Sequence, residues 1–563
     1  MRLKTSAHID TFTRDNLPPE ELWPTLEFTI PDVQYPDILN AGHELIDRAI
    51  EKYGPDKPAF HTPDGGVWTY GEVQRRTNQI AQALTEDYGV VPGNRVMLRG
   101  PNNPWQVVAW LAVLKAGAVV VTTMPMLWAK EVQQLVDLTK PKVLITDHRF
   151  ATGLDEMQFD QATPAPAIIT YGSESTEDLE QQAVAKPGDF TAVETASDDV
   201  ALLGPTSGTT GTPKVTMHFH RDILANADTF AKHLLKVTPD DVLVCSAPFA
   251  FTFGLGSSVV FPLRFGASAL LIEQGSPVEF AEAAERAGVT IMATAPTAYR
   301  VILKEGRADL LARLRLGVSA GEALPEQVFQ AVEQAAGLRL IDGIGATEML
   351  HIFISAAGGD IRPGCVGKPI PGFRATILDE DGNEAPDGQI GRLAVIGPTG
   401  CRYLADERQA LYVHQGWNLT GDTFYRDSEG YFIYQARSDN MIISSGYNIA
   451  APDVENAINQ HPDVLENAVV ARPDEARGSV VCAFIVLLDG VENDDAKRKE
   501  IQYFVKQNIA PYKYPRDIRF VSELPRNPSG KLQHFRLREQ LKQETRLEEP
   551  LEPKVAELDM EGS

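Results

Sequence analysis

Gly204-Pro-Thr-Ser-Gly-Thr-Thr-Gly-Thr-Pro-Lys214 follows directly on the apolar run Val200-Ala-Leu-Leu203, and the reading of this stretch decides the rest. Apolar side chains stop at Leu203 and, prolines aside, do not resume until Val215, so a strand is expected to run out into a polar loop. Gly208 and Gly211 let the backbone turn its N–H groups inward, and four threonines and a serine add hydroxyls. Such a loop can wrap a polyphosphate, with Lys214 adding a point charge. The spacing differs from the common P-loop, because no Gly-Lys-Ser/Thr follows the last glycine. Taken alone, the run is equally a Gly/Thr surface loop.

At 563 residues and 43% hydrophobic content, the chain is long enough for two or more domains, each with its own core. It holds no run of eighteen apolar residues. Its opening Met-Arg-Leu-Lys-Thr-Ser-Ala-His lacks the apolar block of a secretory leader, so a soluble cytoplasmic protein without membrane insertion is expected. Cys245, Cys365, Cys401 and Cys482 lie far apart and without metal-ligand pairing, which fits free thiols in a reducing compartment. With 52 basic and 77 acidic residues the net charge is −25, which argues against nucleic acid and anionic membranes as partners.

Thr69-Tyr-Gly-Glu72 is a capping box ahead of Val73, Thr77, Ile80, Ala81 and Leu84, whose spacing predicts an amphipathic helix. Strand-like Arg95–Leu98, helix-like Trp105–Lys115, and strand-like Ala118–Val121 and Lys142–Thr146 then alternate as in a layered α/β domain. The alternation resumes after Lys214 with Val242–Ser246, a helix near 254–264, Ala269–Ile272, Phe280–Arg286 and Ile291–Thr294. From 361 to 436, glycines and short alternating strands predict a β subdomain. The expected organisation is therefore α/β: a large N-terminal domain (1–438) of two layered α/β subdomains plus that β subdomain, and a small α+β C-terminal domain (439–542). Residues 511–538 carry seven Lys/Arg against two acids, a patch that can gather anions or stand as a solvated basic face. Residues 543–563 carry seven acids against two bases and are expected to be disordered.

Thr206-Ser-Gly-Thr-Thr-Gly-Thr-Pro-Lys214 resembles the phosphate loop of the adenylate-forming superfamily, which includes acyl-CoA synthetases, peptide-synthetase adenylation domains and luciferases. The resemblance continues in order along the chain. Ser319-Ala-Gly-Glu-Ala-Leu-Pro325 is similar to the adenine-side loop, placing Ala320, Gly321 and Glu322 against the base. Leu340-Ile-Asp-Gly-Ile-Gly-Ala-Thr-Glu348 is similar to the second core motif, with Asp342, Gly343 and Ile344 at the nucleotide, Thr347 at the α-phosphate and Glu348 on Mg²⁺. Ile344 stands where the superfamily usually has an aromatic, so apolar contact would replace stacking. Trp417-Asn-Leu-Thr-Gly-Asp422 resembles the ribose motif, fifteen residues before Arg437. A carboxylate there can accept from both ribose hydroxyls. Tyr434-Gln-Ala-Arg-Ser-Asp-Asn-Met-Ile-Ile-Ser-Ser-Gly446 resembles the interdomain crossover, with Arg437 at ribose or phosphate, Asp439 as hinge and Gly446 beside the pantetheine arm of CoA. Ala436 replaces the usual glycine and Asn440 the frequent second acid. Leu524-Pro-Arg-Asn-Pro-Ser-Gly-Lys531 resembles the terminal motif, whose lysine enters the active site for adenylation.

The resemblance implies an ATP-, Mg²⁺- and CoA-dependent ligase that makes an acyl-adenylate and then turns its small, mobile domain for thiolation. Lys531, Thr347, Glu348 and Lys214 would carry the first step. Asp342-Gly-Ile-Gly-Ala-Thr-Glu-Met-Leu-His-Ile-Phe353 is similar to benzoate-CoA ligases, and Ser6–Pro19 and Met217-His-Phe-His-Arg-Asp222 to 2-aminobenzoate-CoA ligases. Ser246-Ala-Pro-Phe-Ala-Phe-Thr-Phe-Gly-Leu-Gly256 would line the acyl pocket, with Phe249, Thr252, Phe253, Gly254, Gly345 and His351 around a planar ring. Thr252 or His351 would meet an ortho substituent. The expected acid is 2-aminobenzoate, with benzoate and salicylate as alternatives. A stand-alone aryl-adenylating enzyme that loads a carrier protein, a catalytically dead homologue and a luciferase-like oxygenase are the rival readings. Relatives also imply a homodimer as the assembly to test.

Overall fold

In the computed structural model, residues 3–160, 164–173, 175–206, 213–437, 441–444, 447–474, 478–509, 513–526 and 532–548 are described. The chain divides into two compact units, Met1–Tyr434 and Gln435–Ser563.

In the first unit, a six-stranded sheet runs Ala167–Tyr171, Val143–Asp147, Arg95–Arg99, Val119–Thr123, Val200–Thr206, Lys214–Phe219. All neighbours are parallel except the last pair, an antiparallel hairpin that sets Thr206 opposite Lys214. The phosphate-loop stretch thus leaves the sheet at Thr206 and rejoins it at Lys214, which opens the return strand. A second, nine-stranded sheet contains the parallel series Leu340–Gly345, Leu316–Ser319, Ile291–Thr294, Val242–Cys245, Ser268–Leu270 and Pro58–His61, closed at each edge by antiparallel strands. Helix Pro104–Lys115 is buried along its whole length apart from the half-buried Trp105, which explains why it reads as apolar on every face. It packs on helix Tyr70–Glu86, which begins where the capping box places it. Thr69 Oγ1 accepts from Glu72 N–H at 3.2 Å, and Glu72 Oε2 accepts from Thr69 N–H at 2.9 Å. That reciprocal pair contributes about 1 kcal/mol.

The β subdomain is an antiparallel sheet of Arg374–Leu378, Gly391–Ile396, Trp417–Arg426 and Val413–His414, with Phe432–Arg437 paired to Trp417–Arg426. The second unit is α+β. Its three-stranded sheet joins Val464–Asp474, Gly478–Leu487 and Asp517–Phe520, accompanied by helices Ala451–Asn459, Asp495–Asn508 and His534–Glu548.

One expectation is corrected here. The last helix reaches Glu548, past the boundary at 543 where disorder was expected. Leu537 and Leu541 anchor it, buried against Val470, Phe484 and Leu524, and Glu544 pairs with Arg519. Charge count alone missed this apolar spacing of four. Among the described residues, no helix is long and apolar enough to cross a membrane.

Candidate active site

The parallel strands of the nine-stranded sheet end side by side. Cys245 is in register with Ala293, Thr294 with Ser319, and Ser319 with Asp342. The loops beginning at Ser246, Ala295 and Ala320 therefore leave the sheet along one carboxyl edge, where open α/β sheets hold ligands, while the strand of Asp342 runs on to Gly345. Glu322, in the adenine-side loop, accepts from Thr297 Oγ1 at 2.8 Å. Asp342 closes the strand-end row. Desolvation pushes its carboxyl up to about 8, only partly offset by the Gly343 N–H donated to it at 2.9 Å. Ile344 packs against the cluster containing Met349 and Phe353, so its side chain is held by apolar contacts.

The two sheets meet at Gly204. A Cβ there would lie 3.1 Å from Thr347 Cγ2 and 2.8 Å from Thr216 Oγ1, so the close approach of the Thr347 turn requires a residue without one. This approach brings Glu348 to the hairpin. Lys214 Nζ donates to Glu348 Oε1 at 3.2 Å and to the Tyr403 hydroxyl at 2.5 Å, and that hydroxyl donates to the same carboxylate oxygen at 2.5 Å. Lys214 also lies 4.6 Å from the Tyr403 ring centroid, within cation–π range. Glu348 is 7% exposed, and its second oxygen accepts no hydrogen bond among the described residues. A hard divalent cation favours such a carboxylate oxygen, and the ammonium already drawn to its neighbour shows the field a cation would meet there. The residues present fit Mg²⁺.

Tyr403 was not among the residues singled out from the sequence. It is placed by the segment Cys401–Leu404, which runs alongside Lys214–Phe219: Met217 N–H donates to the Arg402 carbonyl at 2.7 Å and Leu404 N–H to the Val215 carbonyl at 2.9 Å. Tyr403 N–H donates to Gln409 Oε1 at 2.8 Å, and the buried Arg402 guanidinium pairs with Asp222 over the Phe219 ring. Beside them His218 is wholly buried, 3.0 Å from Thr216 Oγ1, and burial pushes its imidazole down to about 4.

Asp422 is buried in strand Trp417–Arg426, its N–H donating to Thr420 Oγ1 at 3.3 Å. Arg437 ends strand Phe432–Arg437. Its side chain, and the expected Ser207, Gly208, Thr209, Thr210, Gly211, hinge Asp439, Gly446 and Lys531, lie outside the described residues.

Of the expected acyl-pocket residues, the structure joins Phe253, Gly345 and His351. Leu350, buried at φ 71°, turns the chain just before His351. A bulky residue held in the left-handed region stores on the order of 1–3 kcal/mol of strain. The His351 ring lies 5.7 Å from Phe253, 5.4 Å from Phe230 and 4.7 Å from Phe261, centroid to centroid. A Cβ on Gly256 would fall 2.5 Å from His351 Cδ2, and one on Gly345 2.7 Å from the His351 carbonyl oxygen. Neither ring nitrogen makes a hydrogen bond of normal geometry. Burial pushes the imidazole down to about 3, against a small opposing pull from the Phe253 backbone, so it is neutral at physiological pH.

Phe230 and Phe261 come from segments the sequence reading had assigned to no site. Phe249 is buried, its N–H donating to Asn102 Oδ1 at 2.8 Å. Thr252 starts the short helix Thr252–Leu255. A cavity of about 300 Å³ opens at the same strand ends, lined by Ser246, Glu273, Phe280, Thr294, Ala295 and Thr297 among others. From the stretch 246–256, expected to wall the acyl pocket, Ser246 alone lines that cavity.

Residues 46–403 match the profile of the AMP-binding enzyme family, and residues 453–531 that of the AMP-binding enzyme C-terminal domain. The chain is 34% identical over 523 residues to a benzoate–CoA ligase of Thauera aromatica, covering 91% of this chain and 98% of the relative. It is 31% identical over 513 residues to a 3-hydroxybenzoate–CoA ligase of Aromatoleum sp. (strain CIB), covering 90% and 97%. The crystal structure of an anthranilate CoA ligase in complex with anthranoyl-AMP superposes with a TM-score of 0.85 at 31% identity, covering 92% of this chain and all of that one.

Proposed function

We propose that 2-aminobenzoate is the acid this protein activates, and the premise is that the chain belongs to the AMP-binding enzyme family, in its AMP-forming aryl-CoA ligase branch, which uses ATP, Mg²⁺ and coenzyme A. The observation that carries the choice of acid is His351: a neutral, buried imidazole with both nitrogens unpartnered, set among the rings of Phe230, Phe253 and Phe261. A buried polar group without a partner costs on the order of 1–3 kcal/mol. An aromatic acid with an ortho amino group offers flat apolar faces to the phenylalanines and N–H donors to the imidazole acceptor. The superposition on an anthranilate CoA ligase supports the same reading.

A carboxylate cannot be attacked by a thiol directly, because the leaving group would be oxide. In the proposed sequence a carboxylate oxygen attacks the α-phosphorus of ATP, the bond to the bridging oxygen breaks and pyrophosphate leaves. The CoA sulfur then attacks the acyl carbon, a C–S bond forms, the thiol proton is released and AMP departs. Both reactants of the first step are anions, so the residues that gather charge decide its rate. Lys214 would turn from Glu348 to the phosphates, Thr347 would hydrogen-bond the α-phosphate, and Lys531 would add a second ammonium. Mg²⁺, when bound at Glu348, would offset phosphate charge. Asp422 would accept from the ribose hydroxyls, and Ala320 to Glu322 with Ile344 would bracket the base. The second step would follow rotation of the second unit about Asp439, with Gly446 beside the pantetheine arm.

The test is pyrophosphate release with CoA across 2-aminobenzoate, benzoate, salicylate and medium-chain fatty acids, on the wild type, Thr252→Ala and His351→Leu. The highest kcat/KM is expected for 2-aminobenzoate. His351→Leu is expected to erase that preference over benzoate by about tenfold, the worth of one buried hydrogen bond, and Thr252→Ala to leave it unchanged. A wild type that prefers benzoate or a fatty acid, or a His351→Leu enzyme that keeps the preference, refutes the assignment.

A further inference from the structure

We infer that Tyr403 is a positioning residue for metal and nucleotide binding: its hydroxyl fixes the carboxylate of Glu348 and, before nucleotide arrives, holds Lys214 on that carboxylate. The inference rests on the proposed role of Glu348 as the metal ligand and is independent of which acid is used.

Three observations carry it. Tyr403 stands at the junction of two charged groups, donating to Glu348 Oε1 at 2.5 Å while accepting from Lys214 Nζ at 2.5 Å. Both contacts fall on one oxygen of the carboxylate, so the second is left to face a cation. The phenol itself is well anchored. It is 1% exposed, its ring makes an edge contact with Tyr412 at 5.8 Å, and its backbone is tied to Gln409 and bracketed by the hydrogen bonds of Arg402 and Leu404 to the strand that Lys214 opens.

A glutamate side chain in a dry site can rotate about three bonds, and a metal ligand must hold one of those rotamers. A charge-assisted hydrogen bond from a fixed phenol does this without taking up the ligating oxygen. The same hydroxyl gives Lys214 a resting place. When polyphosphate enters, Lys214 can leave Glu348 for the phosphates, and Tyr403 keeps the carboxylate aimed as the cation replaces the ammonium. Tyr403 touches neither reacting atom in this arrangement; it acts through Glu348.

Tyr403→Phe, Glu348→Gln and the double variant test this in the full-length protein. The readout is calorimetric binding of the non-cleavable α,β-methylene-ATP as Mg²⁺ is titrated, which needs no turnover. Tyr403→Phe keeps the ring that packs against Tyr412 and Lys214, and Glu348→Gln probes the same hydrogen bond from its other end with an isosteric side chain. Tyr403→Phe is expected to raise the half-saturating Mg²⁺ concentration more than threefold. The double variant is expected to match Glu348→Gln within a factor of two, because the side chain the hydroxyl orients is then no longer an anionic ligand. A shift of threefold or less in Tyr403→Phe, or a double variant further impaired beyond twofold, overturns the role of Tyr403. A Glu348→Gln protein with unchanged Mg²⁺ dependence overturns instead the metal-ligand assignment beneath it.

Discussion

Gly256→Ala adds one methyl group where the backbone passes close to the His351 ring. The new Cβ would stand 2.5 Å from His351 Cδ2, 2.8 Å from Nε2 and 3.0 Å from Phe261 Cζ. Carbon atoms pack at about 3.5–4.0 Å, so the ring must move by about 1 Å or more. It has little room to do so, since Phe230, Phe253 and Phe261 surround it. Overpacking of this kind costs about 1–3 kcal/mol. If His351 faces the acid, much of that cost appears as lost affinity for the acid ring, which is about fivefold to 150-fold in KM for the aromatic carboxylate. The KM for ATP should hold within twofold, because Lys214 and Tyr403, which hold Glu348 in place, come from segments apart from the rings around His351. Steady-state pyrophosphate release, varied in each substrate separately, reads both numbers, and a thermal melt reads the packing cost. A melt lowered by several degrees with an unchanged acid KM would mean that His351 is a core residue, and the acyl-pocket reasoning would be refuted. Equal rises in both KM values would refute it as well.

Two further outcomes follow from buried charge. Arg402→Met takes from the fully buried Asp222 carboxylate its hydrogen-bonded guanidinium, leaving Arg221 at 4.0 Å and the Phe219 N–H at 3.0 Å, and should cost up to about 3–5 kcal/mol in unfolding free energy; Arg402→Met with Asp222→Asn should recover most of it, and a single variant as stable as wild type would contradict the pairing. Burial pushes His218 down to about 4 and His351 to about 3, and lowers His220 as well, so all three are neutral in the fold but charge near 6.5 once unfolded. The unfolded chain then binds more protons below pH 6.5, and stability present above that pH is lost as pH falls toward 4, by up to about 1.4 kcal/mol per pH unit for each histidine. Denaturant midpoints that stay level from pH 7 to 4.5 would exclude these histidines as the source of acid lability.

Local rules made part of the molecule readable in its sequence. The Thr69–Glu72 box, the strand Val200–Thr206 and the strand-turn Leu340–Glu348 depend on neighbours a few residues away, and each forms where the spacing put it. The site's remaining parts depend on contacts between distant segments. Tyr403 reaches Glu348 across 55 residues and Lys214 across 189, and no motif in Cys401–Leu404 announces either. Phe230 and Phe261 look like core residues of two unremarkable helices until a strained turn at Leu350 swings His351 between them. Resemblance alone places Thr252 beside the ring; it starts the short helix whose next residue, Phe253, meets His351. Tail composition misled in the opposite direction, because two leucines one turn apart outweigh the acidic excess up to Glu548.

These placements bear on a question of charge. A chain of net −25 must bring together ATP and a carboxylate, each of them anionic. At the described part of the site, Lys214 is already spent on Glu348, so the pair presents little net charge to an arriving polyphosphate. Desolvation holds Asp342 up to about 8, which leaves it mostly protonated at neutral pH and removes a repulsive carboxylate from the strand ends. Attraction therefore has to come from charges added with the nucleotide: a divalent cation that takes Glu348 and frees Lys214, and the ammonium proposed for Lys531. On this reasoning metal and nucleotide bind as a unit, each much weaker without the other, and the hydroxyl of Tyr403 is where their coupling passes through the protein.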